Sequence, residues 1–202
     1  MSTAITARIA IAAVAASVLT ACGGNSAPSP SPAPSGSPAG GTTATETNPA
    51  GDIPDNQAFV PFGPPGGGFT VKIPEGWASS TAGSTTTFTD KLNQVQVAAS
   101  HTGAAPTASS VTSTDIPALQ AKTPSFALGR LSTVSRPAGT AILLTYQGDS
   151  APNPVTGKVI RDAFERYSFF HAGIRVDLTL SGPTNADNVD PWRTVTDSLA
   201  WS

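Results

Sequence analysis

The sequence contains few of the residues that build covalent structure or metal sites. Its 202 residues include one cysteine and two histidines. A lone cysteine cannot form an internal disulfide, so the fold does not depend on one. The histidines, His101 and His171, are seventy residues apart and belong to no HxxxH, HExxH or EF-hand pattern. The sequence therefore predicts no metal site and no bound cofactor.

Charge is also scarce. Charged residues make up 12% of the chain, and the formal net charge is −2. Three acids and one base precede Asn56, which leaves ten bases and ten acids in the rest. No run of Lys or Arg occurs, so the electrostatic footprint of nucleic-acid binding is absent.

No apolar run reaches the ~20 residues that a transmembrane helix needs. Residues 9–19 are a shorter apolar run that follows Arg8 and leads into small residues, which is typical of a secretory signal. The run ends in Leu19-Thr20-Ala21-Cys22, which resembles the bacterial lipobox. That motif implies a signal peptide over 1–21, cleavage between Ala21 and Cys22, and lipidation of Cys22. We expect a palmitate-type anchor on the extracytoplasmic face of the cell membrane; the alternative is an ordinary secreted protein.

Residues 22–55 are predicted to be a disordered tether. The segment is rich in Pro, Ser, Gly and Thr, and it has too few apolar residues to offset the entropy of ordering. A coil of this length has a root-mean-square span of about 30 Å. Residues 56–202 then suit a single globular domain.

Within that domain the hydrophobic pattern mostly has a period of two. Alternating apolar residues or runs of β-branched residues predict strands, and short Pro/Gly-rich or polar turns separate these strands. The predicted strands are at 69–73, 85–89, 95–99, 130–136, 140–146, 158–170 and 174–181. The apolar run at 141–144 predicts burial on both faces. The poor alternation of 158–170 predicts a bulge or two-sided burial.

Two helices complete the prediction. Residues 115–122 suit a short helix with Thr114 or Asp115 as the N-cap and Pro124 beyond its end. Asp190 is a candidate N-cap for a C-terminal helix with Pro191 at its first position. The fold class is therefore α+β: an antiparallel sheet of six to seven strands covered by helices.

No pattern of catalytic residues stands out. No serine lies in a Gly-x-Ser-x-Gly elbow, and His171 is beside a tight turn, where a histidine is usually solvated. The segment that ends at Lys158 lacks the first glycine of a phosphate loop, so we expect a turn. Six aromatic residues have two possible roles. We expect them either to pack in the core or to line an apolar cleft between the sheet and the last helix: Trp77, Phe164, Phe169, Phe170, Trp192 and Trp201.

Two stretches resemble a known family. Residues 69–77, a strand that runs into Pro-Glu-Gly-Trp, resemble the start of PsbP/Mog1-like domains. The closer resemblance is to actinobacterial lipoproteins of the LpqN/LpqT type, whose final strand and helix are similar to residues 173–183 and 187–201. The resemblance implies an α/β/α arrangement, carries no catalytic residues, and implies accessory or partner-binding roles.

The leading functional hypothesis is a membrane-anchored, non-enzymatic binding or accessory domain for envelope proteins, lipids or cell-wall components. It is expected to be a monomer held at the membrane through lipidated Cys22. The alternative is a carrier or sensor of a small apolar ligand, and a third hypothesis is a serine-type hydrolase.

Overall fold

The computed structural model describes residues 49–202 except residue 154. The predicted signal peptide, Cys22 and the predicted tether up to residue 48 lie outside the described residues. No helix in the described part is long and apolar enough to cross a membrane.

The described chain is built mainly from β-strands. In chain order its elements are β1 (Phe59–Phe62), β2 (Phe69–Pro74), β3 (Ala78–Ala82), β4 (Thr85–Asp90), β5 (Asn93–His101), α1 (Ala108–Ser110), a π-helical turn (Val111–Asp115), α2 (Ile116–Gln120), β6 (Ala127–Arg136), β7 (Gly139–Asp149), β8 (Arg161–His171), β9 (Ile174–Pro183), α3 (Val189–Asp197) and β10 (Ala200–Trp201). Seven strands form an antiparallel sheet in the order β3-β4-β5-β9-β8-β7-β6. A small antiparallel sheet has the order β1-β2-β10.

One face of the large sheet carries the main core. Val176, Leu178 and Leu180 of β9 are completely buried, and Val95 and Val97 of β5 pair with Leu180 and Leu178. The small sheet and α3 cover this face through Phe69, Val71, Ile73, Trp192, Val195 and Leu199. Burying each such side chain contributes about 1.5–3 kcal/mol, so this layer supplies most of the driving force for folding.

The helical segment covers part of the opposite face, mainly at the β6–β8 end. There Val111 and Ile116 of the helical segment pack on Ile142, Leu144 and Tyr146 of β7. Residues 141–144 are therefore buried on both faces, as the sequence predicts. The α+β fold with an antiparallel seven-stranded sheet is confirmed.

The middle helix differs from its prediction. Helical structure begins at Ala108 rather than near residue 115, because Thr107 and Ser110 form a reciprocal capping box. The predicted N-cap Asp115 instead lies inside the helical segment and pairs with Arg175 of β9. The helical segment is rich in Ser and Thr and has at most one buried apolar residue per turn. It therefore shows little amphipathic periodicity, and the sequence pattern does not predict its first half.

The ends of other elements also differ. The residue before α3 is Asn188, and Asp190 is in the first turn rather than at the N-cap. Strand β8 begins at Arg161 instead of Lys158 and pairs with both neighbours without a register shift, so its irregular pattern reflects two-sided burial. The bulge lies in β6 between Leu128 and Leu131. Strands β1, β3 and β10 were not predicted.

Asn188 connects three distant segments. It is 3% exposed, and its side-chain oxygen accepts a hydrogen bond from the backbone N–H of Ile53 at 2.8 Å. Its amide nitrogen donates to Asn93 Oδ1 and to the carbonyl of Gly51, each at 3.0 Å. Ile53 is itself buried in the main core. Residues 51–53, upstream of Asn56, therefore pack on the domain.

We predict that Asn188→Ala destabilises the domain by about 2–4 kcal/mol, because it leaves the Ile53 N–H and Asn93 Oδ1 buried with a lost partner each. Urea unfolding followed by tryptophan fluorescence measures the change. The control is Asn185→Ala at an exposed position, where we expect less than about 0.5 kcal/mol. Equal effects of the two substitutions would contradict the role of Asn188.

Candidate functional site

A concave site in the described residues lies under the Pro/Gly loop that joins β1 to β2. We call it the loop pocket, and its volume is about 390 Å³. Its walls are residues 64–67 on one side and the β3–β4 turn on the other, and the end of β5 lies between them. The volume falls within the roughly 300–1,000 Å³ range of small-molecule sites.

The loop wall is fixed by its backbone. The N–H of Gly67 donates to the carbonyl of Pro64 at 2.9 Å, and Gly66 has a φ of +70°. Pro at the second position and a left-handed Gly at the third are the signature of a type II turn. A Cβ at Gly67 would lie 2.5 Å from Pro64 Cγ, so the turn packs closely on itself. The pocket wall is therefore formed before any ligand binds.

The floor of the pocket is apolar, and its polar side chains are hydroxyl groups and the imidazole of His101. Phe62 packs edge-on against Phe88 with ring centroids 5.0 Å apart, and Ala99 and Ile174 complete the floor. The Thr81 and Thr86 hydroxyls lie 3.1 Å apart at the β3 side. Among the described residues, no Asp, Glu, Lys or Arg lines the pocket. This lining suits an uncharged apolar group that carries a hydrogen-bonding atom.

The fold brings the two histidines to the same end of the sheet. His101 of β5 and His171 of β8 both pair with Ile174 of β9, so they flank one residue on neighbouring strands. Two strand spacings separate them by about 10 Å. His101 lines the loop pocket, whereas His171 packs on Trp201 with ring centroids 5.3 Å apart. Within residues 49–202, no three His, Cys, Asp or Glu side chains are grouped to hold a metal ion.

A second concavity lies where α3 meets β6, β7 and β8. This helix groove has a volume of about 380 Å³, and it is the sheet–helix cleft named as an alternative from the sequence. Trp192 and Phe164 line it, together with small residues such as Ala127 and Ala163. The other four candidate aromatics lie elsewhere: Phe169 in the core, Phe170 beside Pro106, Trp77 near Lys91, and Trp201 on β10. The six aromatics therefore do not form one pocket.

The second sheet face also holds a polar network, beside the helical segment, that no local sequence pattern reveals. Asp177 accepts charge-assisted bonds from Arg166 at 2.8 Å and from Arg175 at 3.0 Å. Arg175 also pairs with Asp115 of the helical segment. All four side chains are at most 16% exposed. The network joins the helix to the sheet and leaves little free charge for a ligand.

The most perturbed carboxyl in the described part lies outside both concavities. Burial raises the pKa of Asp162 on β8 from 3.8 to about 6, and the neighbouring Asp149 carboxylate adds to the rise. The hydroxyl of Ser125 and the guanidinium of Arg161 hydrogen-bond Asp149 and lower its pKa. Asp162 is thus a structural carboxyl at the end of the β7–β8 pair, where ionisation is unfavourable.

Comparison with solved structures identifies the fold. The domain is similar to cyanobacterial PsbP from Synechocystis sp. PCC 6803, at 14% identity over 72% of this chain and 94% of that chain, with a TM-score of 0.51. This likeness shows a PsbP-like fold. No protein-family model matches the chain, and no curated protein matches it in sequence.

Other matches are more distant. LpqN of Mycobacterium tuberculosis, described as involved in cell envelope biogenesis, is 15% identical over 72% of this chain and 91% of that chain, with a TM-score of 0.41. The Ran-binding protein Mog1p of Saccharomyces cerevisiae is 10% identical over 64% and 79% of the two chains, with a TM-score of 0.43. A Bacteroides thetaiotaomicron protein with a TM-score of 0.46 is matched over only 48% of its own length.

We predict that Asp162→Asn removes part of the pH dependence of stability. Because the folded-state pKa of Asp162 is raised to about 6, the folded chain binds this proton more tightly, and the parent loses stability as pH rises from about 4 to 6. A two-unit shift is about 2.7 kcal/mol, which solvent screening of a half-exposed group reduces to about 1 kcal/mol.

The variant should therefore be about 1 kcal/mol more stable than the parent at pH 7 and equal to it at pH 3.5. Urea unfolding across this range measures the difference. Asp55→Asn, at an exposed position, is the control and should leave the slope unchanged. If the unfolding free energies of the parent and Asp162→Asn changed in parallel with pH, the raised pKa of Asp162 would be contradicted.

Proposed function

We propose that this chain is a lipoprotein anchored through Cys22 to the extracytoplasmic face of the cell membrane. We further propose that its domain is a non-enzymatic binding or accessory domain for envelope proteins, lipids or cell-wall components. The anchor is supported by the position of the only cysteine in the sequence. Cys22 is the last residue of a four-residue lipobox pattern, which follows a short apolar run. An LpqN/LpqT-type assignment is supported by the motifs at 69–77 and 173–183 together with the PsbP-like fold.

The loop pocket is the observation that carries the binding role. It is concave, its wall is held by a type II turn, and its lining combines an apolar floor with neutral hydroxyl groups. Such a site can bind without the charged groups that most catalysis requires. Ser84, Ser100 and His101 line it together, but no acid lines it to orient the imidazole. The geometry therefore favours binding over the serine-hydrolase alternative.

A carrier or sensor of a small apolar ligand is the second candidate. The volume and lining of the loop pocket favour it, since most small-ligand sites are apolar with a few placed polar groups. The site proposed for the ligand is the loop pocket rather than the helix groove. In the helix groove the carboxyl group of Glu165 lies beside Trp192 and Phe164, so that lining suits an uncharged apolar ligand less well.

We predict that Cys22→Ala abolishes lipidation and releases the protein from the membrane or leaves it as unprocessed precursor. Fractionation and mass spectrometry of the N-terminus in a bacterial host measure both outcomes. The control is Ser26→Ala, which lies beyond the lipobox. Processed Cys22→Ala protein that still remains in the membrane fraction would disprove the anchor.

We predict that the loop pocket binds the neutral apolar fluorophore N-phenyl-1-naphthylamine. Ala99→Phe fills the pocket floor and should weaken binding about tenfold or more. Ala121→Phe makes the same change at an exposed position at the end of α2, outside the lining of the pocket, and it should leave affinity unchanged. Fluorescence titration gives the three dissociation constants. Equal affinities of the two variants, or no binding by the parent, would refute the ligand-binding role.

A further inference from the structure

The two edges of the large sheet are protected very differently. Edge strand β6 carries Arg130 and Arg136 and contains the bulge between Leu128 and Leu131. Charges and bulges on an edge are common devices against pairing with another chain. Strand β3 has neither: all five of its residues are exposed, none is charged or proline, and its register with β4 is unbroken. The outer side of β3 is therefore a template for another strand.

The sequence of β3 is nearly symmetric about its central residue. It reads Ala78-Ser79-Ser80-Thr81-Ala82. In an antiparallel pairing of two copies centred on Ser80, Ala78 faces Ala82, and Ser79 faces Thr81. Ser and Thr are favourable cross-strand neighbours because their hydroxyls hydrogen-bond. Within one copy the hydroxyls of Thr81 and Thr86 already lie 3.1 Å apart across neighbouring strands. A second β3 would add its own hydroxyls beside this pair.

The absence of charge on β3 is compatible with a second copy. In an isologous contact only residues on the two-fold axis lie next to their own symmetry mates, so a charge at Ser80 would meet a like charge. Strand β3 carries none, and the chain from Asn56 onward has equal numbers of acids and bases. Two copies therefore approach through this edge without local repulsion between like charges. An unrelated partner strand would not require the near-symmetry of β3.

We infer that β3 pairs antiparallel with β3 of a second copy, about a two-fold axis through Ser80, and joins two seven-stranded sheets. Five paired residues bury less than the roughly 1,200 Å² of a stable interface. Pairing is therefore weak in solution and is strengthened when copies share one bilayer, where their local concentration is high. In that respect the inference rests on the proposed lipid anchor.

Cysteine cross-linking tests the register. The full chain carrying Ser80→Cys is reconstituted through lipidated Cys22 into phosphatidylcholine vesicles and oxidised; the alkylated Cys22 sulfur takes no part. Paired residues have Cβ atoms about 4.5–5.5 Å apart, close to disulfide range. Ala78→Cys is the matched variant, because two Ala78 residues would be about 14 Å apart. We expect covalent dimer from Ser80→Cys at least tenfold in excess of that from Ala78→Cys.

Charge substitutions test the pairing itself. In Ser80→Lys the two introduced ammonium groups would face each other across the two-fold axis, so energy transfer between labelled copies on the vesicles should fall about tenfold. A mixture of Ser80→Lys and Ser80→Glu should restore the transfer, since opposite charges then meet. Thr133→Lys, on the already protected edge β6, is the control and should leave the transfer at the parent level.

Equal cross-linking at positions 78 and 80 would show random collision and overturn the inference, as would unchanged transfer in Ser80→Lys. Failure of the anchor gives a different result, because the chain then does not bind vesicles at all. In that case the cross-linking is repeated in solution at high concentration with Cys22→Ala. The same preference for position 80 over position 78 supports the pairing there, and its absence overturns it.

Discussion

The fold depends on the two faces of strand β9. Val176, Leu178 and Leu180 point to one side and are fully buried, while Arg175, Asp177 and Thr179 alternate with them on the other side. A register slip of one residue would place Asp177 in the apolar core and the leucines against arginines. The buried Asp177 is tolerable only because Arg166 and Arg175 both reach it, since an unpaired buried charge costs several kcal/mol. Packing on one face and ion pairing on the other therefore select the same register.

The sequence shows the alternation of β9 directly. Its local hydrophobic pattern also predicts strands β2 and β5 and the two-sided burial of β7. Strand β3 was missed for the opposite reason: five small, exposed residues carry no hydrophobic pattern, and only pairing with β4 makes them a strand. The first half of the helical segment was missed because Val111 and Ile116 are its only buried residues. Local patterns thus predict the buried centre of the sheet better than its periphery.

The candidate site belongs to that periphery. The turn at residues 63–68 was foreseen from its prolines and glycines, but the approach of this turn to β5 and to the β3–β4 turn is set by long-range pairing. The same register places His101 and His171 on either side of Ile174, although seventy residues separate them in sequence. No local signal carries that information. Likewise, no local pattern predicts that Ile53 is buried in the main core and that its N–H bonds to Asn188, 135 residues away.

Ion pairs hold several charged side chains of the domain to one another, away from the loop pocket. Arg136 pairs with Asp197, Arg161 with Asp149, and Asp177 with two arginines, whereas the described lining of the pocket combines apolar residues with hydroxyl groups and His101. A pocket of about 390 Å³ suits a small ligand. A small ligand makes few contacts, so such a site is most useful where its ligand is concentrated. Attachment at the membrane through Cys22 would supply that concentration for an envelope ligand, so the proposed anchor and the proposed binding role are compatible.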